Sequence, residues 1–105
     1  MIDNNLIWLL QWYYSQCDGD WEHSHGIQIA TIDNPGWYLR LSLEETELQG
    51  KPFQKIKIDR SEQDWIRCFL EDNIFEGVGG PFNLPEILTI LRKWVESCQK
   101  ENQKS

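Results

Sequence analysis

Ile27-Gln28-Ile29-Ala30-Thr31-Ile32-Asp33-Asn34-Pro35-Gly36-Trp37-Tyr38-Leu39-Arg40-Leu41-Ser42-Leu43 is a strand, a turn and a second strand. The first run is rich in β-branched residues, which fit a pleated, half-buried surface. Proline presets φ in the Asn34-Pro35-Gly36 turn, and glycine permits positive φ at the following position. Beyond it, Trp37, Leu39, Leu41 and Leu43 alternate with Tyr38, Arg40 and Ser42, as expected of a strand with one face on a core. The two runs form a hairpin, and the rest of the chain has to cover its apolar face.

Three further strands are expected downstream. After a polar connection over residues 44–52, the segment 54–60 places Ile56 and Ile58 inward and Lys55, Lys57 and Asp59 outward. Residues 65–71 and 74–78 follow, separated by an Asp72-Asn73 turn. Trp37 and Trp65 are expected on the inner side. Tyr38, Arg40, Lys55, Lys57 and Arg67 fall on the other, wet face. Gly77, Gly79 and Gly80 precede a helix, but no Lys-Ser/Thr follows and Pro81-Phe82 intervenes, so they read as a tightly packed strand end and not as a phosphate loop.

Helices flank this sheet. Over residues 4–16, Leu6, Leu9, Leu10 and Tyr13 share a stripe that Ile7 and Tyr14 widen, Trp8 and Trp12 sit on one flank, and Asp3 or Asn4 can cap the start. Asn83-Leu84-Pro85-Glu86 is a helix start with capping-box-like spacing. Leu84, Ile87, Leu88, Leu91, Trp94, Val95 and Cys98 then form one apolar stripe, with a polar tail after Gln99. The expected fold is α+β: a five-stranded antiparallel meander with the N-terminal and C-terminal helices packed on one face. One domain spans residues 1–99, followed by a tail at 100–105. A chain of 105 residues buries roughly 65% of its unfolded surface, enough for one core without disulfides or metal.

The net charge of −7 lies wholly in residues 1–50, where eight acids face one base; residues 51–105 hold nine of each. Such a field repels nucleic acid and lipid phosphates and attracts basic partners, although a solubility surface has the same composition. Three widely spaced cysteines (Cys17, Cys68, Cys98) argue against a disulfide framework and against paired zinc knuckles, and fit reduced thiols in a cytoplasmic protein. The opening residues lack a basic stretch and a cleavage site, and Leu6–Leu10 is too short to cross a bilayer, so neither signal peptide nor membrane span is expected.

Cys17-Asp18-Gly19-Asp20-Trp21-Glu22-His23 concentrates the chemistry. Trp21 either folds back as a core plug or helps to form a binding surface; Trp8 and Trp12 carry the same alternatives. Cys17, Asp18, Asp20, His23 and His25 offer ligand types but match no zinc or calcium spacing, so no metal or other cofactor is expected. Cys17 with His23 or His25 is the one pair suited to nucleophilic catalysis, and no anion cradle or serine elbow accompanies it.

Several stretches resemble the immunity protein 53 family. They are residues 8–13, the run Gln16-Cys17-Asp18-Gly19-Asp20-Trp21-Glu22-His23, Gly26-Ile27, Asp33-Asn34-Pro35-Gly36-Trp37, Asp64-Trp65-Ile66, and residues 75–84 with Trp94. The resemblance spans roughly residues 8–95. It implies a non-enzymatic bacterial protein, encoded beside a polymorphic toxin, that binds the cognate toxin domain. On that basis the expected partner is a toxin protein of basic character, held by Asp18, Asp20, Trp21 and Glu22 with Glu44, Glu45 and Glu47. The chain itself is expected to be a monomer or weak dimer. The rival readings are a small enzyme using Cys17 and a histidine, and a structural adaptor.

Overall fold

The computed structural model describes residues 4–103. Helix α1 (Asn4–Gln16) and the one-turn α2 (Trp21–Ser24) precede β1 (Ile27–Ile32) and β2 (Gly36–Ser42). Strands β3 (Ile56–Ser61), β4 (Asp64–Glu71) and β5 (Ile74–Gly79) follow, and α3 (Leu84–Gln103) closes the chain. The expected α+β class, five antiparallel strands and both long helices are present. Helix α3 continues past Gln99 to Gln103, so the polar stretch prolongs the helix there. Asp3, one of the two capping residues considered for α1, lies outside the described residues.

Strand order corrects the simple meander. The sheet runs β1-β2-β5-β4-β3, so β2 pairs with β5 instead of β3. The connection over residues 43–55 is long enough to carry the chain to the opposite edge, from which β3, β4 and β5 step back toward β2. This connection is not merely polar: Leu43 and Leu48 are fully buried in it, and the Pro52 carbonyl accepts the indole N–H of Trp94 at 2.8 Å. At the β4–β5 turn, Asp72 and Asn73 both adopt positive φ, 53° and 62°, the conformation a two-residue hairpin requires for its strands to keep their twist.

One face of the sheet carries the core. Leu39, Leu41, Ile66, Cys68 and Phe75 meet Ile87, Leu91 and Val95 of α3. Glycine makes this approach possible: a Cβ on Gly77 would lie 2.5 Å from Ile87 Cγ2, and one on Gly79 would lie 2.9 Å from the Trp65 carbonyl oxygen. The Gly-Val-Gly-Gly run is thus a packing device. Asn83 completes it in an unexpected way. Its Oδ1 accepts the backbone N–H groups of Gly80 (3.1 Å) and Trp65 (3.3 Å), and its Nδ2 donates to Asp64 at 3.0 Å. The side chain therefore ties strands β4 and β5 together instead of capping α3. Glu86 likewise accepts both guanidinium nitrogens of Arg60, at 2.9 and 2.8 Å, instead of closing a capping box.

Of the two strand tryptophans expected on the inner side, one lies there and the other does not. Trp37 faces the helix side and donates its indole N–H to the Pro81 carbonyl at 3.0 Å, as expected. Trp65 lies on the open face, because Ile66 and Cys68 take the core positions and alternation leaves Trp65 with Arg67, whose guanidinium sits 5.6 Å from the Trp65 ring centre. Helix α1 is also rotated from its expected stripe. Leu9 and Trp12 are buried, whereas Leu6, Ile7, Leu10, Tyr13 and Tyr14 remain exposed. Asn5 bonds Thr89, and Trp8 stacks on Arg92. That flank therefore rests against α3, and the opposite one is left open.

Candidate functional site at the acidic end

Residues 17–25 and 44–47 are distant in sequence and meet around Trp21. Asp18 folds its own loop: its Oδ1 accepts the N–H groups of Asp20 (2.9 Å) and Trp21 (3.0 Å). Glu22 reaches back and accepts those of Asp18 (3.0 Å) and Gly19 (2.9 Å). The two carboxylates thus satisfy the N–H groups of residues 18–20 ahead of α2 and that of Trp21, the helix's first residue. Gly19 adopts φ +97° at the bend, a conformation that costs a side chain. Backbone donors hold both carboxyls below their ordinary range. For Asp18 the N–H of Trp21 is the largest cause, followed by that of Asp20. For Glu22 its own N–H leads, with Asp18 and Gly19 contributing.

Trp21 is the plug that this loop delivers. It is 2% exposed. Its ring packs edge-on to Trp12 at 6.3 Å and lies 6.0 Å from Tyr13 and 6.2 Å from His25. Its indole N–H donates to the Glu44 carbonyl at 2.9 Å. Of the two readings left open by the sequence, the structure selects the core plug for Trp21 and for Trp12. Neither indole is available as a contact anchor.

The second acidic segment is anchored at the same place. Glu47 accepts the Trp12 indole N–H at 3.0 Å and the Gln16 amide at 3.1 Å. Glu45 adopts φ 63° and its N–H donates to the Gln49 side chain at 2.7 Å. His25 hydrogen-bonds the Ser42 hydroxyl through Nδ1 at 3.0 Å, with carboxylate oxygens of Glu44 and Glu45 at 3.9 and 3.8 Å from its ring nitrogens. Beside them opens a cleft of about 540 Å³ whose lining includes His25, Arg40, Ser42, Glu44 and Asp72.

All seven residues expected to bind a partner therefore gather at one end, in three roles. Asp18, Asp20, Glu44 and Glu45 are exposed; Glu22 and Glu47 are half-buried and spend their oxygens on the fold; Trp21 is buried. Among the described residues, the arginine–carboxylate pairs use Asp59, Asp64, Glu86 and Glu96 instead. Leu48 and the pairing of His25 with Ser42 were not singled out by sequence reasoning. A histidine that directly follows a one-turn helix and precedes a strand carries no signal of a partner on the neighbouring strand.

The alternative chemistries find no geometry among the described residues. The Cys17 thiol donates to the Tyr13 carbonyl at 3.4 Å, closing α1, and no hydrogen bond joins it to His23 or His25. No group of three or more histidine, cysteine, aspartate or glutamate side chains suited to a metal ion occurs there, and no helix is long and apolar enough to cross a membrane.

The fold is a small α+β domain with a carboxylate-rich end, and a fold alone does not fix a function. The family model of immunity protein 53 matches residues 6–96, and the chain belongs to that family. Membership points to an immunity role exercised on a toxin protein rather than to catalysis. No similar curated protein and no similar solved structure was found.

Proposed function

We propose that the protein neutralises its cognate toxin in the cytoplasm by stoichiometric binding, using the acidic end built around Trp21. The observation that carries this reading is the convergence of two acidic segments on one buried indole. Asp20, Glu44 and Glu45 lie outward on a base that Asp18, Glu22 and Glu47 hold fixed. Pre-ordered carboxylates lose little conformational freedom on contact. Set on a chain of net charge −7, they speed the approach of a cationic partner. Many toxins that cut nucleic acids carry basic clefts, and such a surface occupies one as a substitute for phosphate. No cofactor takes part.

The test reverses Asp20, Glu44 and Glu45 to lysine together, leaving the three structural carboxylates in place. The measurement is association with the toxin domain encoded by the neighbouring reading frame. At low salt the on-rate is expected to fall by roughly 10- to 100-fold, while Glu62→Lys, on the β3–β4 turn, leaves it near wild type. An unchanged rate and affinity would reject this surface. Cys17→Ser separates the enzymatic reading: toxin binding stays intact, whereas turnover depending on a thiol nucleophile would vanish.

A further inference from the structure

The two edges of the sheet differ in kind. Edge β3 carries Lys57, Asp59 and Arg60, has a register irregularity between Asp59 and Ser61, and has its Ile58 carbonyl engaged by Arg67 at 3.3 Å. Charges and bulges of this sort keep an edge from pairing with another chain. Edge β1, Ile27-Gln28-Ile29-Ala30-Thr31-Ile32, has neither charge, nor proline, nor bulge.

The hydrogen-bond phase of β1 follows from one bond. Ser42 N–H donates to the Gly26 carbonyl at 3.1 Å, on the same register as the β1–β2 ladder. In an antiparallel ladder, bonded and non-bonded pairs alternate, so residues 26, 28, 30 and 32 address β2. The N–H and C=O groups of Ile27, Ile29 and Thr31 point away from the sheet, and among the described residues nothing pairs with them. The same three residues lie opposite Leu41, Leu39 and Trp37 on the helix-bearing face. Ile29 is 40% exposed there because α3 packs on β5 and β2. On the helix-bearing side, α1 packs against α3 and leaves Leu6, Leu10 and Tyr13 exposed on its open flank. Tyr13 packs on Trp21, and Trp21 on His25, two residues before β1.

We infer that β1 pairs with β1 of a second copy, antiparallel and centred on Ile29, joining two sheets into one of ten strands. The register is dictated by the strand. Placing Ile29 opposite its counterpart sets Ile27 opposite Thr31, so the three outward-bonding residues of each copy face those of the other and exchange roughly six backbone hydrogen bonds. The same register puts helix-side residues beside helix-side residues. The two-fold axis then stands normal to the sheet and both helix layers lie on the same side of it, a self-complementary contact of the kind cyclic dimers use. No charged side chain of β1 meets its own copy. The acid surplus elsewhere opposes the contact at long range, so the pairing is a weak one that strengthens as salt screens the repulsion.

This inference is independent of the toxin-binding reading, and its test uses the protein alone. Sedimentation equilibrium of the full chain is expected to show a mass rising from 12.5 kDa toward twice that value at roughly 100 µM, within the range of small transient interfaces. Association should be stronger at high salt, the opposite of the toxin contact. Ile29→Lys sets two ammonium groups against each other and should hold the protein at the single-chain mass with an unchanged circular dichroism spectrum. In the wild type, the amides of Ile27, Ile29 and Thr31 should exchange more slowly in concentrated than in dilute solution, a readout needing no variant. A constant single-chain mass, a dimer indifferent to Ile29→Lys, or exchange at those amides independent of concentration would each overturn it.

Discussion

A single indole does two jobs at the acidic end. Trp21 fills the space between α1 and the strand that follows it, and its N–H fixes the segment carrying Glu44, Glu45 and Glu47. Truncation removes both. Trp21→Ala is expected to cost about 3–5 kcal/mol of unfolding free energy, the range for emptying a large aromatic site. Trp21→Phe separates the contributions: it keeps most of the ring contact, loses the bond to the Glu44 carbonyl, and is expected to cost about 2 kcal/mol from the lost bond and a small void. Urea titrations of both variants measure the costs. If Trp21→Phe is as stable as wild type, the bond does not hold the second acidic segment. The tryptophan in a charged stretch was visible in the sequence; its partner was not, because a backbone carbonyl leaves no mark on composition.

At the level of elements, the tightest constraint is between β5 and α3. Gly77 has no room for a side chain because Ile87 Cγ2 occupies it. Gly77→Ala is expected to destabilise by about 1–3 kcal/mol through forced overlap. Ile87→Ala alone costs about 2–5 kcal/mol as a cavity. Together they should cost clearly less than their sum, since the new methyl enters the space just vacated. A double-mutant cycle by chemical denaturation reads this coupling, and strict additivity would show that the two positions do not compete for one volume. The elements themselves were legible, because period 2 and period 3.6 are properties of a segment alone. The hairpin at residues 27–43 and the apolar stripe of α3 both stand where their patterns place them. Pairing was less legible. Nothing within β2 distinguishes β3 from β5 as its neighbour, and the choice depends on where the connection over residues 43–55 runs. For α1, apolar residues surround most of the helix, so the pattern alone did not select Leu9 and Trp12 for burial.

Across the whole molecule, the titrating groups define a window of stability. Asp18 and Glu22 are held below their ordinary values by backbone donors. Asp64 is held down by Asn83 and Arg60, and Glu86 by Arg60. A group with a depressed folded pKa stabilises fully above its unfolded value and loses that contribution as pH falls through the folded one. These four therefore weaken the fold below about pH 4.5, as the pH drops past the ordinary carboxyl values of 3.8 and 4.5. The alkaline side has the opposite sign. Burial pushes the Cys68 thiol up to about 12 from 9.0, and burial beside Glu76 raises Tyr38. Such groups stabilise fully below their unfolded values, and the contribution fades as pH climbs through the folded ones. Melting temperature is thus expected to be level between about pH 5 and 9 and to fall on both flanks. Asp18→Asn with Glu22→Gln should make the acid flank shallower without changing the alkaline one. Cys68→Ala should lower the plateau by its cavity and flatten the alkaline side alone. A scan in which Asp18→Asn with Glu22→Gln leaves the acid flank as steep as in wild type would remove the two loop carboxylates as its cause. The fall would then belong to the Arg60 pairs at the other end, where Asp64→Asn tests them in the same way.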